Sequence, residues 1–236
     1  MTEHEERVWR ALHHGTVVVG GDPHEIVVVD CGELLLPSGR LVAADPFVTL
    51  TRENDYYPVP AGRYPVKVTL DATMGREMYV SLLLARAPEV ARAPLLPYRP
   101  NGEPYPPPDT DDEYGVPVDA GTVCFVDDEA VRRGMPEDES EWYGEVFDTG
   151  EEKSWFSQMD ATTPLGAGLA NLPLPLASDG ANIILCHSGW GDGFYPVIGG
   201  FDAAENLVAV HIDLRLHEAL AEQGDEDGEN HEDSEA

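Results

Sequence analysis

Lysine is almost missing. Only Lys67 and Lys153 occur, and with arginine they bring the positive charges to 14 against 45 Asp and Glu, a formal net charge of -31. A surface of that sign repels phosphate backbones and anionic headgroups, so no nucleic-acid or membrane partner is expected. Cysteine is scarce too: Cys31, Cys124 and Cys186 are odd in number and far apart, which argues against a disulfide framework and against a structural zinc site. No apolar run approaches the ~20 residues that cross a bilayer. The opening "MTEHEERVWR" is acidic where a secretory leader would be basic and then apolar, so a soluble cytoplasmic protein is expected. Nucleotide motifs are lacking as well, since neither a P-loop nor a G-x-G-x-x-G that opens a helix after a strand is found.

What is present is mostly β-branched. A short helix is expected over residues 3–13, followed by "TVVVG" and "EIVVVDCGELLL" around the turn signal "GGDPH". "LPSGRLVAADP" reads as a hairpin turning at Pro37, Ser38 and Gly39. "AGRYPVKVTLDATMGREMYVSLLLARA" reads as two longer strands joined around Ala72 to Arg76, with Gly75 free to take a positive φ. From 87 to 115 many prolines and acids predict a surface excursion in extended or polyproline conformation. "VPVDAGTVCFVDDEAVRRG" then gives a strand, Val123 to Val126, and a helical turn capped by Asp127 or Asp128 and closed near Gly134. "PEDESEWYGEVF" predicts an amphipathic helix, and Thr162 to Gly180 an irregular, largely buried loop. The final "GDEDGENHEDSEA" carries seven acids and no large apolar side chain, and residues 217–236 are expected to be an acidic, disordered tail beyond one β-rich domain at 1–216.

Asn182–Ser188, Phe194–Gly200 and Leu207–Leu214 are three strand-length runs, and an Asp-Gly pair lies in the first gap, "GWGDG". They predict a three-stranded antiparallel meander in which Asp192 bonds the backbone of its own turn and Trp190 covers one face. The fold class is therefore mainly β, an antiparallel sandwich or two curved sheets, with two or three short helices.

Cys186 and His187 are strand neighbours that point to opposite faces, which rules them out as a nucleophile and base. Ser188 does not sit in a G-x-S-x-G elbow. Alternation over Leu207–Leu214 puts His211 and Asp213 on one face, and with His187 or Asp192 they make a candidate divalent-metal set, although exposed polar alternation explains the same residues. No cofactor beyond that is predicted.

"ELLLPSGRLVAADP", "VPAGRYPVKVTL", "YGVPVDAGTVCFVDDEA" and "SGWGDGFYPVIGGFDAAENLVAVHIDL" occur in the order found in the bacterial domain of unknown function 4241 family, which the chain resembles from about Glu33 to Leu214. The resemblance implies a single soluble β-rich domain. It points to Asp119, Gly121, Trp190, Gly191, Asp192, Gly193 and Tyr195, the matching motif positions, and it brings no catalytic residues with it. Two functions stand as expectations. The first is a non-enzymatic binding module whose acidic surface meets a basic protein partner in an immunity-like or neutralising role. The alternative is an enzyme or small-ligand binder at the "VDAGT" and "GWGDG" loops, with Asp119, Asp192 and His187 as candidate catalytic groups and Trp190, Asp192 and Tyr195 as binding residues.

Overall fold

The computed structural model describes residues 11–86, 90–93, 96, 115–162 and 164–217. Most of the expected first helix, most of the proline-rich excursion and nearly all of the acidic tail lie outside these residues. Twelve strands form two antiparallel sheets. The larger holds β1 (Gly15–Val19), β2 (Asp22–Leu36), β5 (Gly62–Asp71), β6 (Arg76–Leu83), β12 (Leu207–Asp213), β11 (Gly193–Phe201) and β7 (Gly115–Val118), in the order β1-β2-β5-β6-β12-β11-β7. The smaller holds β4 (Tyr57–Pro58), β3 (Arg40–Ala44), β8 (Thr122–Asp127), β10 (Asn182–His187) and β9 (Leu169–Pro173), in the order β4-β3-β8-β10-β9. Neither sheet closes into a barrel.

The hydrophobic pattern explains the layering. Strands of the smaller sheet are buried on both faces, so β8 and β10 read as nearly unbroken apolar runs. Val123, Phe125, Ile184 and Cys186 pack against Leu34, Val68, Val80 and Val210 of the larger sheet. Their neighbours Cys124, Val126, Ile183 and Leu185 face a second core built with Trp142, Phe147, Trp155 and Met159. That outer layer contains α1 (Asp128–Gly134), a 3-10 turn (Glu139–Glu141), a π-helical turn (Tyr143–Phe147) and α2 (Trp155–Asp160). Asp127 caps α1 by accepting from Ala130 N at 3.0 Å. Gly134 is needed for packing, because a Cβ there would lie 2.7 Å from Leu174 Cβ.

The β1–β2 and β5–β6 hairpins form as expected, with φ of 58° and 94° at Gly20 and Gly21 and 65° at Gly75. Other expectations are corrected. The turn at Pro37–Gly39 joins no hairpin: β2 belongs to the larger sheet and β3 to the smaller, and Asp127 fixes the crossing by accepting from both Ser38 N and Ser38 Oγ. The meander is likewise only half present. β11 and β12 pair, but β10 lies in the other sheet between β8 and β9, so "GWGDG" carries the chain from one sheet to the other. Part of the Thr162–Gly180 segment is the edge strand β9, and the expected helix over "PEDESEWYGEVF" breaks into the 3-10 and π-helical turns.

One buried polar cluster stitches the sheets together where β2 bulges between Asp30 and Glu33. Asn182 Oδ1 accepts from Leu35 N at 2.9 Å, while its Nδ2 donates to Glu33 O at 2.8 Å and to Asn171 Oδ1 at 2.7 Å. Asn171 Nδ2 in turn donates to Cys31 O at 2.8 Å. Replacing Asn182 with Ala strands at least a buried N–H and a carbonyl, so a loss of about 3 kcal/mol is expected. Urea denaturation of Asn182→Ala should show a lower midpoint with an unchanged slope, and an unaltered midpoint would show that the cluster contributes nothing to stability.

Candidate functional site

Two motif loops meet at one corner. Asp119, Ala120 and Gly121 link β7 of the larger sheet to β8 of the smaller, and residues 188–192 make the reverse passage from β10 to β11. Gly121 joins them: its carbonyl accepts from Ser188 N at 3.0 Å, and its N–H donates to Asp192 Oδ1 at 3.1 Å. Asp192 thus holds the opposite loop, which corrects the expectation that it would serve its own turn. Asp119 is exposed, and its N–H, with that of Ala120, donates to the fully buried Asp45 Oδ2 at 2.9 and 2.8 Å. The second loop is also tied internally, since Ser188 Oγ and Tyr195 Oη both donate to Gly191 O, at 2.5 and 2.8 Å. Tyr195 is buried, and burial raises its phenol pKa.

Beside this joint lies an open cleft of about 530 Å³, lined by both loops and by Arg76, Glu77, Ala167 and His187. Glu77 and His187 face the same spot. A Cβ on Gly168, whose φ is 87°, would fall 2.8 Å from Glu77 Oε1 and 2.7 Å from His187 Nδ1, so a side chain there would collide with both and only a glycine fits against them. Gly189 is constrained in the same manner, because its Cβ would meet the Glu77 carbonyl oxygen at 2.5 Å.

The electrostatics of the pair follow from burial. Glu77 is only 8 % exposed, and desolvation lifts its carboxyl to about 7, with the Arg76 charge pulling weakly the other way. Desolvation also holds His187 below the ordinary imidazole value, against the opposing charge of Asp160. Near neutral pH the cleft therefore presents a carboxyl poised between its two protonation states and a neutral imidazole, groups able to give and take a proton. At the rim, the Arg76 guanidinium donates to Gly189 O at 2.5 Å and lies 5.2 Å from the centre of the Trp190 ring. The Trp190 indole N–H donates to Leu216 O at 3.3 Å.

His187 and Trp190 line this cleft, while Asp119, Asp192 and Tyr195 frame it without lining it. Cys186 turns into the core between the sheets and His187 turns out, as strand alternation requires. The metal set His187, His211 and Asp213 is not assembled. His211 lies buried in the larger sheet with Nδ1 2.8 Å from Ser81 Oγ, and burial depresses its pKa to about 4. Asp213 Oδ1 accepts from Arg215 N at 2.9 Å, and His187 belongs to the other sheet. Sequence reasoning missed Glu77 and Gly168. The alternation of "REMYVSLL" places Glu77 on one face with Tyr79 and Ser81, but only the crossing loop makes that face a cleft.

These features define a two-sheet antiparallel sandwich with a helical outer layer and a cleft at the corner where two crossing loops join. The match to the family model described as "Protein of unknown function (DUF4241)" covers residues 34–212, and the chain belongs to that family. No curated protein and no solved structure matches it.

Glu77 ties the cleft to stability through pH. Its folded pKa of about 7 lies above the 4.5 of a free glutamate, so the folded state keeps a proton that the unfolded chain releases between those values. Stability contributed by this group should fall as pH rises through that window, by up to about 3 kcal/mol. Glu77→Gln, which cannot ionise, should be more stable than the native chain at pH 8 and nearly equal to it at pH 4.5. Urea midpoints at the two pH values check this, and an identical difference at both would contradict the assignment.

Proposed function

We propose that the protein binds a small polar ligand in the corner cleft and exchanges a proton with it through Glu77 and His187. The observation that carries this reading is that Glu77 and His187 line one cleft and their Oε1 and Nδ1 atoms pack against the same glycine, Gly168. Arg76 supports it, since a guanidinium has five N–H donors and can offer those not given to Gly189 to an anionic or carbonyl group. The Trp190 ring beside it, 36 % exposed, offers a flat apolar face. Asp119 and Asp192 then have a positioning role, holding the loops through Asp45 and Gly121 while the acid–base work falls to the pair inside. A cytoplasmic location agrees with three buried free thiols. Ligand-observed NMR with a library of small polar metabolites should find binders that compete for one site. Their signals should disappear in His187→Ala and in Trp190→Ala, whose side chains are exposed enough to replace without unfolding. No binder, or binders indifferent to both changes, would overturn the reading.

A second reading is favoured by the acidic patch around Arg52, where Glu137, Asp138, Glu139 and Glu141 line a shallow open depression. Together with the net charge of -31 it suits a basic protein partner in a neutralising role. A partner captured on this surface should be released as salt rises, and reversing the charges at Glu137, Glu139 and Glu141 should abolish capture. Retention in high salt would count against it.

A further inference from the structure

We propose that His24, Asp71 and His217 form a site for one divalent cation of the zinc type, which fastens the end of the last strand to the first hairpin. The three residues come from distant parts of the sequence: His24 from β2, Asp71 from the end of β5, and His217 from just beyond β12. Their donor atoms lie within 4.8 Å of one another. His24 Nδ1 is 2.6 Å and His217 Nε2 3.0 Å from the same oxygen, Asp71 Oδ2.

The carboxylate is aimed by its other oxygen. Asp71 Oδ1 accepts from Thr73 N at 3.0 Å and Met74 N at 3.1 Å, within the turn that joins β5 to β6. Oδ2 is thereby left to the two imidazoles, an outer-shell arrangement of the kind that orients metal-ligating carboxylates. Two imidazole nitrogens and one carboxylate oxygen are a donor set that suits zinc and its neighbours better than magnesium or calcium, which prefer all-oxygen shells. Zinc bonds of ~2.0–2.2 Å require the contacts to open by less than about 1 Å.

Charge favours the same occupant. The Asp71 side chain is wholly buried, and both imidazoles are directed at its Oδ2. With neutral imidazoles the cluster carries one buried negative charge inside a protein of net charge -31, and a cation would neutralise it. The His24 and His217 side chains are 12 % and 11 % exposed, which leaves solvent a route to an open coordination position. A small apolar cluster of Ala11, Ile26, Met78, Tyr79 and Leu216 lies among the same segments, so coordination would lock the region where the described chain begins and ends. Leu216, next to His217, also holds Trp190 through its carbonyl, which makes this cluster a neighbour of the cleft wall.

The test uses the full chain, stripped with a chelator and titrated with Zn²⁺ by calorimetry in excess Mg²⁺, which suppresses loose binding to surface carboxylates. One equivalent should bind and raise the melting temperature, and Co²⁺ in its place should give the visible absorption of a low-symmetry nitrogen–oxygen site. His24→Gln and His217→Gln keep a hydrogen-bond donor for Asp71 while removing the imidazole lone pair. Each should weaken Zn²⁺ by at least about tenfold, a loss that even outer-shell partners cause, with metal-free urea midpoints close to the native one. Absence of Zn²⁺ binding in the native chain, or undiminished binding in the double variant, would overturn the proposal. Both readouts are independent of the cleft, so either outcome leaves the proton-exchange reading to be judged by its own test.

Discussion

The molecule depends on how the chain changes sheets. Two loops that pass between the sheets in opposite directions lie side by side and meet at one residue, Gly121, whose carbonyl takes the Ser188 N–H and whose N–H meets the Asp192 carboxylate. A backbone leaving a sheet loses its ladder partners, and buried peptide groups without partners are costly. Here each crossing supplies the other's missing bonds. Asp45, fully buried at the end of β3, extends the arrangement by taking the N–H groups of Asp119 and Ala120. At this corner side-chain carboxylates perform what a neighbouring strand performs elsewhere.

That solution recurs elsewhere between the layers. Asp127 caps α1 and also receives Ser38 where β2 gives way to β3. Asn182 and Asn171 satisfy the backbone that the β2 bulge leaves unpaired. These are short polar side chains, buried or half-buried, with their hydrogen-bonding capacity directed at named peptide groups.

The same corner creates the chemistry. By passing over the start of β6, the second loop walls in Glu77, and the backbone near β9 comes close enough that Gly168 alone fits between Glu77 and His187. Desolvation by the surrounding chain then favours the neutral form of each group. A neutral carboxyl can give a proton and a neutral imidazole can take one. At the Asp71 cluster, by contrast, two imidazoles converge on one carboxylate oxygen.

The strands themselves were legible in the sequence because their signal is local. β-branched runs bounded by Gly, Pro and Asp mark them, Gly75 marks the β5–β6 turn, and Asp127 announces the helix it caps. The "VDAGT" and "GWGDG" motifs are legible in the sequence, and their loops meet through Gly121. Sheet membership was not legible. An Asp-Gly turn between two apolar runs looks the same whether the strands pair or part, and β10 parts from β11 because both its faces are covered, by the larger sheet on one side and the helical layer on the other. Glu77, Gly168 and His187, and likewise His24, Asp71 and His217, are far apart in the chain and carry no common pattern. Local propensity decided which segments extend and where they turn; only the packing of two sheets, through long-range burial, decided which carboxyls and imidazoles would meet.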